Sequence, residues 1–147
     1  MQSLLETLPQ LAAYQPALVA LAILCLAILV QSFLAGVLGL GKGEGTPGMP
    51  LKGDHTKLSF RTIRTYANSV ENFSVFSASV LLAIIAGVGA AIVNWLAIIH
   101  VVLRLAYWAV YYNGVGKVGG GIRTFTYVLG LLANVILAVL ATYAFIA

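Results

Sequence analysis

The sequence predicts an all-α integral membrane protein, a bundle of four transmembrane helices. Three observations carry that expectation. Hydrophobic residues make up 61% of the 147 positions, and charged residues only 8%. The mean hydropathy is +1.01, far above that of a soluble domain. Four apolar stretches recur, each as long as the roughly 20 residues a helix needs to cross the hydrocarbon core. Four such spans use most of the chain, so residues 1–147 read as a single membrane domain with no room for a separate soluble one.

The first apolar run covers residues 17–40 and follows Tyr14 and Pro16, the pattern of a helix entering at a membrane interface, so the helix is placed at about 16–40. Glu6 is not accompanied by Lys or Arg, and the run is longer than a signal core, which argues against a secretory signal. Residues 41–57 hold glycines, Pro47, Pro50 and mixed charge, and read as a loop. The second helix is expected over 58–93, polar from Arg61 to Asn72 and apolar beyond, with Asn94 marking a very short hairpin. The third is expected over 95–112 and the fourth over 122–146. Residues 113–121 form a glycine-rich connection that lacks the Gly-Lys-Ser/Thr ending and the strand of a phosphate loop.

A formal net charge of +4 raises the question of nucleic acid, but the basic residues are few and stand beside apolar runs, as anchors to anionic lipid do. Nucleic-acid binding is excluded on that ground. Lys42, Lys52, Lys57, Arg61 and Arg64 lie in or beside the first loop, while Arg104, Lys117 and Arg123 flank the glycine-rich one. The positive-inside rule therefore puts both long loops in the cytoplasm and both termini on the opposite side. Cys25 is the only cysteine and lies within an apolar run, so it can form no intrachain disulfide and serves as lipid-facing or core packing. No metal is expected either: His100 has no His, Cys or carboxylate at metal-ligand spacing and reads as a hydrogen-bonded packing residue.

Polar residues fall in stripes when the chain is wound at about 100° per residue. Arg61, Arg64, Asn68 and Glu71 share an arc of about 80° on the second helix, and His100, Arg104, Tyr107 and Tyr111 one of about 60° on the third. Arg123, Tyr127 and Asn134 share a face of the fourth. An arginine facing lipid at the bilayer centre costs about 2.5–3.5 kcal/mol, so these stripes are expected to converge inside the bundle. Arg64, Arg104, Arg123, Asn68, Glu71 and the tyrosines would then suit a small, mostly anionic, zwitterionic ligand, because guanidinium forks match carboxylates and one carboxylate matches an amine. The alternative is that Glu71 pairs with an arginine and only fixes helix packing. Trp108 and Tyr112 read as an interfacial aromatic belt, while Tyr107 and Tyr111 share the face of Arg104.

The run from Arg64 through Asn68 and Glu71 to Phe73 resembles the second-helix signature of the MAPEG family, the membrane-associated proteins in eicosanoid and glutathione metabolism. The stretch Arg104 to Tyr111, followed by Arg123 to Tyr127, is similar to the family's third helix and the start of its fourth. The resemblance implies a homotrimer in a lipid bilayer, with glutathione as co-substrate bound between subunits near the cytoplasmic side. By the same resemblance Arg64, Asn68 and Glu71 would hold the charged ends of glutathione, Tyr111 and Tyr127 would line the site, and Arg123 would face the sulfur. Some eukaryotic members carry a second arginine where this chain has Ala67 and a histidine where it has Tyr107. The implied activity is a glutathione transferase or peroxidase acting on a lipophilic electrophile or hydroperoxide. Arg123 and Tyr127 are its candidate catalytic residues, and Arg64, Asn68, Glu71, Arg104, Tyr107 and Tyr111 its candidate glutathione-binding residues. A non-catalytic membrane subunit with the same fold is the second reading. A four-helix multidrug transporter is disfavoured, since the first helix has no carboxylate for proton coupling.

Overall fold

The computed structural model describes residues 9–38, 53–116 and 120–147. After a single turn at Pro9–Ala12, four long helices follow: α1, Gln15–Leu38; α2, Leu58–Ile85; α3, Ala90–Tyr112; and α4, Ile122–Ile146. Each is long and apolar enough to cross a membrane, and the exterior they present is apolar, with Leu26, Leu29, Phe33, Ile85 and Val139 among the exposed side chains. Such a surface is stable against hydrocarbon and not against water, so the chain is an integral multi-pass membrane protein. No strand occurs among the described residues.

The helices pack through small residues. Ala17 and Ala20 of α1, Ala83 of α2, Ala97 of α3 and Ala141 of α4 are buried around Leu24, Phe76, Val80, Val93, Val101 and Leu137. In a bilayer, where helices gain little hydrophobic energy from meeting, close approach through small side chains supplies dispersion contact instead. α3 and α4 pair most extensively, α1 packs on α2 and α3, and α2 also meets α4. Gly130 lets α3 and α4 touch: a Cβ there would lie 3.5 Å from Leu103 Cβ, and the Gly130 carbonyl meets His100 Nδ1 at 2.8 Å.

The turn between the second and third helices differs from the expected one. α2 ends at Ile85, not at residue 93, and the hairpin is Ala86, Gly87, Val88 and Gly89. Gly87 takes φ +72°, Val88 N–H donates to Ala83 O at 3.0 Å and Gly87 N–H to Ile84 O at 3.1 Å. That pair of bonds around a left-handed glycine is a Schellman motif, which satisfies the last carbonyls of α2. Asn94 lies inside α3 and works across the bundle. Its amide donates to Ala13 O at 2.8 Å and its oxygen accepts from Ala17 N–H at 3.1 Å, so it caps the start of α1. Tyr14 adds a hydrogen bond from its hydroxyl to Val88 O at 2.7 Å.

At the opposite end α3 closes with a second Schellman motif, in which Gly114 takes φ +66° and Val115 N–H donates to Val110 O. This end gathers the start of α2, the end of α3 and the start of α4. It also carries the described basic residues Lys57, Arg61, Arg64, Arg104 and Arg123. Lys42, Lys52 and Lys117, and the first helix's expected last residues 39–40, lie outside the described residues.

Candidate functional site

Arg61 organises the basic end. Its Nε and Nη2 donate to Tyr112 O at 3.3 and 3.1 Å, and Nη1 donates to His55 O at 3.0 Å and Thr56 O at 2.6 Å. A cation at a helix C-terminus opposes the negative end of the dipole, and here the same group also ties down the segment preceding α2. Asp54 stiffens that segment, accepting from the Thr56 backbone N–H at 2.8 Å and its hydroxyl at 2.6 Å. Those two bonds hold the Asp54 carboxyl below the usual carboxylate range. Arg61 thus leaves the polar stripe expected on α2 and serves backbone carbonyls.

The result is to set His55 against α3. Its Nδ1 is 2.7 Å from the Tyr111 hydroxyl, and its ring meets Phe60 edge-on with centroids 4.9 Å apart. Beside it a cleft of about 470 Å³ opens between the helices, lined by His55, by Arg64 and Asn68 of α2, by Tyr107 and Tyr111 of α3, and by Arg123, Thr124 and Tyr127 of α4. The stripes of α2, α3 and α4 therefore meet, because antiparallel packing brings the first turns of α2 and α4 level with the last turns of α3. Among the described residues no carboxylate lines the cleft. An outer chamber of about 430 Å³ adjoins it, lined by Thr56, Arg61, Asn113 and the Gly114–Gly116 turn. His55, Tyr111 and Arg123 belong to the walls of both.

Arg123 is the second residue of α4, and its guanidinium carbon lies 4.7 Å from the centre of the Tyr111 ring. The unpaired N–H groups and positive dipole end of α4 reinforce its charge. Arg104 stands behind the lining. It is 2% exposed, donates from Nη2 to Asn68 Oδ1 at 2.7 Å, and lies 5.0 and 5.6 Å from the Tyr107 and Tyr127 ring centres. A buried guanidinium of this kind is balanced by an amide oxygen and two aromatic faces. It positions three groups that do line the cleft.

Glu71 also lies outside the lining. Its carboxylate is 3.8 Å from Arg64, with the two side chains 60% and 42% exposed. His100 stacks on Phe76 with ring centroids 3.9 Å apart and is fully enclosed. Trp108, expected at the membrane interface, is instead a core residue, 6% exposed, and Tyr112 is half-buried with its hydroxyl enclosed. Both sit on the face of α3 that packs inward. Among the described residues no three His, Cys, Asp or Glu side chains come together.

His55 and Thr124 were not anticipated. Thr124 follows Arg123 on the first turn of α4 and was within reach of the same reasoning. His55 belongs to an aperiodic segment, and only the fold brings it to Tyr111.

No curated protein and no solved structure matches the chain. The model of the MAPEG family matches residues 17–143, which span all the cleft residues and most of every helix. Four membrane helices and an arginine-rich cleft at their basic end agree with that match, and the chain belongs to the MAPEG family, the membrane proteins of glutathione and eicosanoid metabolism.

Proposed function

We propose that the protein is a membrane-embedded glutathione transferase or peroxidase that activates the glutathione thiol toward lipophilic electrophiles or hydroperoxides. The observation that carries this reading is the cleft where Arg64, Arg123 and the start of α4 converge, with no carboxylate among the described residues that line it. Such a place favours an anion twice over, through guanidinium charge and through helix N–H groups.

A thiol reacts as its thiolate, and free thiols are mostly protonated near neutral pH. Arg123 is the group assigned to the sulfur, since a fixed cation favours the charged form by about 1.4 kcal/mol for each unit of pKa depression. Tyr127 is one helical turn further along the same wall and donates a hydrogen bond to the same anion. Arg64 and Asn68 take the remote carboxylate ends, with Tyr107 and Tyr111 as the side walls. Glu71 takes the amino group, with Arg104 acting through Asn68.

The reading includes a homotrimer with sites between subunits and the cleft on the cytoplasmic side. Glu71 supports an assembly. It lies thirteen residues beyond Leu58, roughly 20 Å along α2, and is 60% exposed in the single chain. A carboxylate at that depth requires polar surroundings, which a neighbouring subunit and a bound ligand provide. The lipophilic substrate reaches the sulfur from the bilayer.

The test is the thiolate absorbance of detergent-purified protein mixed rapidly with glutathione. A saturable rise is expected. Its absence with intact protein would favour a non-catalytic membrane subunit.

A further inference from the structure

We infer that His55 is the proton donor to the leaving oxygen when the second substrate is a hydroperoxide. The inference rests on the glutathione reading and narrows it to a reaction class. Four observations carry it. His55 lines the inner cleft together with Arg123 and Tyr127, so it faces the same space as the groups assigned to sulfur. It lines the outer chamber as well, through which it is in reach of water beyond the bundle. Its Nδ1 is engaged by the Tyr111 hydroxyl at 2.7 Å, which fixes the ring and leaves Nε2 as the nitrogen available to a ligand. Its backbone is clamped by Arg61, so the ring is held on a braced segment.

Among the described residues the other side chains lining the cleft are arginine, asparagine, threonine and tyrosine. Guanidinium, amide, hydroxyl and phenol hold their protons near neutral pH, whereas imidazole exchanges one readily. Among the described residues the charged groups near the ring are Arg61 beneath its own carbonyl, Arg64 on α2, Arg123 on α4, and Asp54 and Lys57 in its own segment.

The need for a donor follows from the chemistry. The thiolate sulfur attacks the terminal oxygen of R–O–OH, and the O–O bond breaks with its electron pair leaving on the inner oxygen. The sulfur loses two electrons and becomes the sulfenic acid, while the peroxide gains them. The departing alkoxide is a poor leaving group until protonated, and His55 supplies that proton to give the alcohol. A second glutathione attacks the sulfenic sulfur, releasing water and the disulfide. His55 regains its proton from water in the outer chamber. The sum is two glutathiones and one hydroperoxide giving disulfide, alcohol and water. Displacement of chloride from a chlorodinitroarene needs no such proton, because chloride leaves as the anion.

That contrast gives the experiment. Purified wild type, His55→Gln and His55→Ala are assayed for thiolate absorbance, conjugation of chlorodinitrobenzene and reduction of cumene hydroperoxide. The ratio of peroxide reduction to conjugation is expected to fall about 10²-fold in both variants, the lower end of what a positioned acid contributes. Free imidazole should restore part of the ratio in His55→Ala, where the vacated space admits it. An unchanged ratio in both variants overturns the inference, as does a fall that imidazole leaves untouched. A wild type that conjugates the chloroarene but leaves the hydroperoxide intact overturns it while the glutathione reading stands. A wild type with no thiolate signal and neither turnover overturns both.

Discussion

Arg104 of α3 donates to Asn68 of α2 over 2.7 Å, with both side chains buried and with Tyr107 and Tyr127 flanking the guanidinium. One residue behind the cleft thus sets the position of three that line it. Arg104→Met should leave the Asn68 oxygen unpaired and lower stability by about 1–3 kcal/mol, the range for orphaning a buried polar group. Thermal unfolding in detergent measures this. Arg104→Lys should recover little, since an ammonium cannot serve the amide and two rings at once. An unchanged melting temperature for Arg104→Met would show that the bond is idle.

Arg123 and Arg64 should separate in kinetics. A group that stabilises the nucleophile acts on the chemical step, and a group that holds a remote end acts on binding. Arg123→Leu is expected to abolish the thiolate absorbance and lower turnover by about 10²-fold or more, the scale for one preorganised donor at an anionic centre. Arg64→Leu should chiefly weaken glutathione binding. Arg123→Lys should restore part of the turnover as a point charge. Wild-type rates in Arg123→Leu would remove Arg123 from the mechanism.

Glu71 has two assigned partners, a ligand amine and Arg64, and Glu71→Gln distinguishes them. If the amine matters, glutathione affinity falls while the oligomer survives mild detergent. If the contact with Arg64 is packing glue, sedimentation will show the oligomer dissociating with binding retained per subunit.

Sidedness can be read by labelling. In a Cys25→Ser background, a cysteine at exposed Val115 should react only from the cytoplasmic side, and one at exposed Ala147 only from the other. The reverse pattern would invert the bundle.

The Asp54 turn predicts a pH dependence. Its carboxyl is held below its ordinary range by Thr56, so its contribution to the turn is complete above the ordinary carboxylate pKa and disappears as pH falls through the lowered one. Exchange protection of the Thr56 amide should therefore be flat from neutral pH down to the ordinary range and be lost only below it. Loss between pH 6 and pH 7 would assign the turn to another group.

The four spans were legible because hydropathy and periodicity are local properties, and the convergence of Arg64, Asn68, Tyr107, Tyr111, Arg123 and Tyr127 followed from helical phase plus antiparallel order. The hairpin was misplaced because Asn94 was read as a turn residue. The true stop is Gly87, whose φ of +72° only glycine adopts cheaply, and Asn94 finds its partners on α1 across the bundle. Trp108 was misplaced because aromatic composition does not reveal which side of a helix is covered. His55 and the Arg61 clamp escaped because they depend on a contact between residues 55 and 111, and aperiodic segments carry no phase from which to infer it.

The open pair on α2 bears on how the chain enters its membrane. α2 is the least apolar of the four spans and carries Arg61, Arg64 and Glu71 in its first half, whereas α1 has no charged residue at all. A translocon that partitions segments one at a time would release α1 into lipid readily and hesitate over α2. Biogenesis then depends on α3 arriving in time, since Tyr112 O and Tyr111 engage the Arg61 clamp and Arg104 engages Asn68. In a cell-free insertion assay, α2 tested alone should remain largely unintegrated, and the α2–α3 hairpin tested as one unit should integrate.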